Sequence, residues 1–177
     1  MVHETRTETL LTRNQMDYFI GVDGGKAGGI CVVDGKGNVV ECMVMPVIKA
    51  KPPEYDRASI IALFKKYPKA FVTIEKVLIA GAMTSKVAAQ STGWCLGFFE
   101  GVSQGLGMRY EVVAPQRWQK VLFEGSDWKK NSKAYSIRYA QRMAPGFDWK
   151  KSSKCKAEHD GMTDAFCLAE YGRKYVS

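Results

Sequence analysis

Residues 18–46 read YFIGVDGGKAGGICVVDGKGNVVECMVMP, and this stretch constrains the fold more than any other. Apolar runs at 18–22, 28–34 and 39–46 are separated by DGG and GKGN turns that leave no room for a helix between them. Short Gly/Asn/Asp turns join antiparallel neighbours, so the chain opens on a three-stranded meander. The first run, YFIGV, is continuously apolar, the signature of a strand covered on both faces and central in its sheet. The pattern then changes period. AKPPEYD (50–56) is a loop whose Asp56 can N-cap a helix. Residues 57–67 carry apolar side chains at 60, 61, 63, 64 and 67, which predicts an amphipathic helix. AFVTIE (70–75) is a fourth strand, parallel to the first because a helix connects them.

Beyond it, 84–106 predicts a long helix rich in small residues, with Gly93, Gly97 and Gly101 among Trp94, Phe98 and Phe99. Interior glycines weaken an isolated helix by roughly 0.5–1 kcal/mol each. Their presence suggests that another backbone, from this chain or a partner, comes close. RYEVVA (109–114) is a fifth strand, Pro115 opens a short helix, 130–143 is a basic helix and 160–175 a last, acidic-faced one. The order βββαβαβααα predicts an α/β protein with a five-stranded mixed sheet flanked by helices.

At 177 residues and 46% apolar content the chain suits one domain with a full core. Residues 1–16, MVHETRTETLLTRNQM, lack a signal peptide's apolar centre and carry Glu4 and Glu8. They read as a flexible arm ahead of a domain at 17–177. No apolar run approaches the ~20 residues of a membrane span, so no membrane role is expected. The five cysteines, 31, 42, 95, 155 and 167, form no CxxC pair. Free thiols in a reducing, cytoplasmic setting are expected.

The net charge of +8 is local. Between Lys129 and Lys156 lie nine of the 26 basic residues and one of the 18 acids, Asp148; the rest of the chain holds 17 of each. A solvated surface is the ordinary reading of scattered charge, but concentration into one stretch favours a polyanionic partner.

That stretch ends at HDGMTDAFCLAEYG (159–172). Asp160 and Asp164 are four apart and share a helix face among small and apolar residues. Like charges there repel, and burial strips their hydration. Asp23 ends the first strand and Glu75 the fourth; if those strands are neighbours, four acids converge at one sheet edge. Each has an ordinary reading: Asp23 as a turn residue, Glu75 paired to a lysine such as Lys76, Asp160 as an N-cap. Together they point to hard divalent cations, which prefer oxygen ligands. Two such ions about 3.5–4 Å apart can drive phosphodiester hydrolysis.

IGVDGGKAGGICVVD, VTIEKV and HDGMTDAFCLAEYG resemble the three acidic motifs of RuvC-type Holliday junction resolvases, especially the phage and organellar branch. VVAPQRWQK (112–120) is similar to a proline–tryptophan–lysine segment of those enzymes. The resemblance spans about residues 17–173 and implies an RNase H-like fold. It further implies homodimeric binding of four-way DNA junctions and paired symmetric nicking with Mg²⁺, for which Mn²⁺ can substitute, at two ions per site. It places the catalytic and metal-binding acids at Asp23, Glu75, Asp160 and Asp164. The DNA-binding candidates are Arg117, Lys120, Lys129, Lys130, Lys133, Lys150, Lys151, Lys154 and Lys156. His159 is an auxiliary candidate for positioning water or phosphate, or else an exposed loop residue. Asp23-Gly24-Gly25 stands where the family has Asp-Pro-Gly, and the last acid pair is spaced four apart where bacterial members have three. The location implied is cytoplasmic, in the host if the chain is phage-encoded.

Three other readings compete. A ribonuclease H acting on RNA–DNA hybrids uses the same acids and fold. A sugar kinase or ATPase of the actin-like superfamily would use GVDGG as a phosphate turn, but needs two copies of the unit, and GVDGG occurs once. A non-catalytic DNA-binding module would not need four acids beside a basic stretch.

Overall fold

The predicted meander forms β1 (Tyr18–Asp23), β2 (Gly29–Asp34) and β3 (Val39–Val44). β1 and β2 pair antiparallel from Tyr18 opposite Asp34 to Asp23 opposite Gly29. The computed structural model describes residues 16–51, 53–76, 86–123, 125 and 127–176; of the expected arm at 1–16, all but Met16 lies outside them. After the meander, Val47–Ile48 (β4) pairs with Glu54–Tyr55 (β5) in a small hairpin. This corrects the expectation of loop throughout 50–56; two-residue strands around a Pro-rich turn are too short to show a period in sequence. The hairpin seats Tyr55, whose hydroxyl donates to the Gly24 carbonyl at 2.9 Å.

Helix α1 (Arg57–Lys66) starts at the predicted cap, where Asp56 accepts from the Ser59 amide at 3.1 Å. It leads to β6 (Phe71–Glu75), which pairs parallel with β1. Helix α2 (Lys86–Gly105) then leads to β7 (Tyr110–Val113), parallel to β6. The sheet order is β3–β2–β1–β6–β7, which puts the all-apolar first strand at the centre. Helix α3 (Pro115–Leu122), a 3₁₀ turn (Asp127–Lys130), α4 (Ser132–Met143) and α5 (Asp160–Tyr171) follow, and a π-helical turn spans Gly172–Val176.

Alternation along the strands divides the core in two. Ile20, Val22, Val72 and Ile74 face α1 and α2, where Ile60, Phe64 and Phe99 are fully buried. Phe19, Cys31 and Phe71 face α3, α4 and α5, against Trp118, Tyr139 and Phe166. Helix α5 lies on β1 and β2 with almost no spacing. A Cβ at Gly21 would sit 1.9 Å from the Ala165 carbonyl oxygen, and one at Gly161 would sit 2.5 Å from the Gly28 backbone. Only glycine allows these approaches, and they press the acidic helix onto the strand that ends in Asp23. Glu170, fully buried near its end, is a structural acid, held by Arg173 at 2.5 Å and Lys174 at 3.1 Å.

Helix α2 turns its aromatics in two directions. Phe99 is fully buried in the chain's own core and cannot anchor a partner, whereas Trp94 remains 42% exposed. Trp94 stacks between Tyr55 and Phe98. A Cβ at Gly93, Gly97 or Gly101 would meet no described atom within 4 Å, so the described parts of this chain do not supply the close backbone those glycines suggest.

Candidate active site

Val22 lies opposite Ile74 in the parallel β1–β6 pair, so the next residues, Asp23 and Glu75, leave the sheet side by side. The Asp23 turn is fixed from behind: the Gly24 carbonyl accepts from the Tyr55 hydroxyl and from the Cys95 thiol, at 2.9 and 2.5 Å. Glu75 is oriented by α3, whose fully buried Trp118 donates its indole N–H to Glu75 Oε1 at 3.0 Å.

Helix α5 brings the other two. Of its twelve residues only Asp160 and Asp164 escape burial, so both acids occupy the one stripe of the helix that opens toward the ends of β1 and β6. Asp160 is not the N-cap. That place belongs to His159, whose Nδ1 accepts from the Met162 amide at 3.3 Å and whose backbone N–H donates to the Trp149 carbonyl at 2.8 Å. His159 is therefore not an exposed loop residue; its Nδ1 fixes the start of α5. Asp160 is ion-paired to Lys133 of α4 at 2.5 Å.

The four acids feel one another. Burial, then the charges of Glu75 and Asp164, push Asp23 up to about 8. Burial raises Glu75 to about 7 against the Trp118 hydrogen bond, and Asp164 to about 6 against a hydrogen bond with Ser136. Asp160 goes the other way, held low chiefly by Lys133. The folded chain thus keeps protons that an unfolded chain, titrating near pH 4, would release. Metal-free stability should be fullest below that value and fall as pH rises through about 6 to 8. Thermal melts in EDTA should show the melting temperature dropping from about pH 5 to about pH 8, and added Mg²⁺ should restore more at the higher pH. A melting temperature that is flat across this range would mean the acids do not crowd one another.

This donor set fits hard divalent cations: four carboxylates, three of them destabilised as anions by burial and repulsion, with no thiolate or free imidazole among them. Among the described residues no three ligating side chains are drawn into a closed cage. The acids converge but stand apart, and Asp160 is engaged by Lys133.

The basic candidates are spread over α3, the 3₁₀ turn, α4, which carries Lys133, and the loop after it. Lys120 lies on α3 and is exposed, while Arg117 is engaged with Glu111 of β7 at 2.8 Å. Lys129 lies over the Trp128 ring and Lys130 pairs with Asp127. Lys151, Lys154 and Lys156 are exposed in the 144–159 loop, with Lys150 half-buried. Buried Trp149, packed on Phe147 and Phe166, anchors that loop. Sequence reasoning does not find the supports of the site: Trp118, Ser136, Tyr55 and Cys95. Trp118 alone leaves a signal, as the tryptophan of the proline–tryptophan–lysine segment at 112–120, though not its bond to Glu75; the other three become neighbours of the acids only through long-range packing.

No protein-family profile and no curated protein matches the chain. Solved structures do. Thermus thermophilus RuvC in complex with Holliday junction substrate superposes with a TM-score of 0.61 at 15% identity, over 89% of this chain and 96% of that one. A second T. thermophilus RuvC structure gives 0.56 at 18%, over 88% and 95%. This chain has the RuvC-like, RNase H-like fold. The yeast mitochondrial Holliday junction resolvase Ydc2 is more distant, with 0.52 at 10% identity over 90% of this chain and 78% of that one. At such identities the likeness shows the fold alone, and what the site does rests on its own residues.

Proposed function

We propose that the chain is a structure-specific endonuclease of the RuvC type, akin to the phage and organellar branch, that resolves four-way or branched DNA junctions by paired nicks. The observation that carries this reading is the meeting of Asp23, Glu75 and Asp164 at one sheet edge, each raised far above an ordinary carboxylate. That crowding is unfavourable in the free protein and is relieved by divalent metal. Asp23, Glu75, Asp160 and Asp164 would hold Mg²⁺, or Mn²⁺ in its place, as two ions per site. When bound, such ions supply a nucleophilic water and stabilise the leaving oxygen. The chain's own residues set the geometry: Trp118 orients Glu75, His159 fixes the start of α5, and Lys133 is placed to trade Asp160 for a phosphate.

Symmetric nicking requires two sites related by a dyad. Exposed Trp94 and the open Gly93–Gly97–Gly101 face of α2 support a homodimer. A monomer by sedimentation, free and on junction DNA, would refute it. The protein would act in the cytoplasm, the host's if phage-encoded.

Gel assays with mobile and fixed junctions, linear duplex and RNA–DNA hybrid test the reading. Mg²⁺-dependent nicks in opposed strands of the junctions support it; cleavage of the hybrid in preference to junctions would point to a ribonuclease H instead. Changing Lys150, Lys151, Lys154 and Lys156 to Ala should weaken junction binding. It should also flatten the salt dependence by about 0.9 log unit for each phosphate that is no longer neutralised. An unchanged slope would turn that loop away from the DNA.

A further inference from the structure

We propose that the pocket between α3 and the start of α4 is a nucleotide subsite for the cleaved strand, in which Gln116 and Gln119 read a base while Lys120 and Lys129 hold its phosphate. The inference rests on the nuclease reading above and names the part of the substrate that this region takes. Helix α3 buries Trp118 and Leu122. Its opposite face presents Gln116, Gln119 and Lys120, spaced i, i+3 and i+4 and therefore grouped. Across from them stand Lys129, Trp128 and Ser132, and the open cleft between them is about 600 Å³, the size range of small-ligand sites.

The chemistry of the walls selects the occupant. No carboxylate among the described residues lines the pocket. Lys120 and Lys129 have no carboxylate partner among the described residues, unlike Lys130, which Asp127 occupies, and Arg117, which Glu111 occupies. Two cations with no carboxylate partner among the described residues suit a phosphate group. The side-chain amides of Gln116 and Gln119 have no hydrogen-bond partner among the described residues. Each offers a donor beside an acceptor, the pattern that matches the N6/N7 edge of adenine.

The two elements that wall the pocket also reach the acids, from their other faces. The helix that carries the two glutamines sends Trp118 to Glu75, and Lys133, next to Ser132, reaches Asp160. A strand whose scissile phosphate sits at the acids would lay a neighbouring nucleotide here.

The test uses full-length protein with Mg²⁺ and mobile junctions randomised around the branch point, with nick positions read by sequencing. The wild-type protein should prefer adenine at one position near the nick. The double variant Gln116→Ala/Gln119→Ala should still nick, with that preference reduced about ten-fold or more. Gln119→Glu should move it toward cytosine, whose N4 amino group donates to a carboxylate, a gain that misfolding cannot produce. Lys129→Ala should weaken binding alike for all sequences. A wild-type protein that nicks junctions, with a base profile identical in both glutamine variants, would overturn the subsite and leave the nuclease reading standing. A wild-type protein that nicks no junction would overturn both.

Discussion

Asp164→Asn is expected to lower junction cleavage by several orders of magnitude while the protein stays folded and still binds junctions without metal. Asp164 lies one turn inside α5, so it caps nothing. It is one of only two residues of that helix not buried, and it faces Asp23 and Glu75. Asn keeps the volume and an oxygen but removes the charge on which metal affinity and water activation depend. Folding should gain rather than lose. Burial and the Asp160 charge raise Asp164 to about 6, so above that pH the wild-type chain carries an anion its surroundings disfavour. Removing it should stabilise the metal-free protein by about 1 kcal/mol. Asp23→Asn and Glu75→Gln should behave alike. Asp148→Asn is the control: Asp148 is exposed in the basic loop and, among the described residues, accepts only from the Lys150 amide, so cleavage should hold. If Asp164→Asn cuts junctions at the wild-type rate, the four-acid reading fails.

Much of this is legible in the sequence because it is written in short-range patterns. The meander follows from turns too short for anything else. The central place of YFIGV follows from its lack of alternation, and the meeting of Asp23 with Glu75 follows from two parallel strands ending in acids. The last helix is legible in part. Asp160 and Asp164 stand out by their spacing, whereas Glu170, a third acid on the same helix, gives no sign of its place. It is the most buried of the three, neutralised by Arg173 and Lys174 just beyond it. What the sequence could not show lies at long range. That His159 caps α5, that Trp118 bonds Glu75 across 43 positions, and that Phe99 turns inward while Trp94 stays exposed all depend on how helices rotate about their axes when they dock. Glycine is the subtlest case. By sequence, Gly21 and Gly161 are ordinary strand and helix glycines, while Gly93, Gly97 and Gly101 have the spacing of packing glycines. Within the chain the roles are reversed, because a glycine's meaning lies in what faces it.

Gly161→Ala should therefore separate packing from chemistry. Helix propensity alone favours alanine by at most about 1 kcal/mol. Against this, the added Cβ would lie 2.5 Å from two backbone atoms of Gly28 and 2.7 Å from the Ala27 carbonyl oxygen. Backbone cannot rotate aside as a side chain can, so the start of α5 must lift from the sheet. Overpacking of this kind costs about 1–3 kcal/mol, and the net effect should be destabilising. The rest of α5, from Met162 to Tyr171, is buried except at Asp164, which is enough to keep the variant folded. The displacement falls between Asp160 and Asp164, however, and carries both away from Asp23. A shift of about 1 Å in a catalytic group can lower rate about 100-fold. Cleavage should fall by that order while junction binding, which the proposed function assigns to the basic loop and α4, is retained. Gly146→Ala, where an added Cβ meets nothing within 4 Å, should leave both stability and cleavage near wild type. Full cleavage by Gly161→Ala at unchanged stability would mean that α5 does not ride on β2 as closely as Gly28 and Gly161 place it.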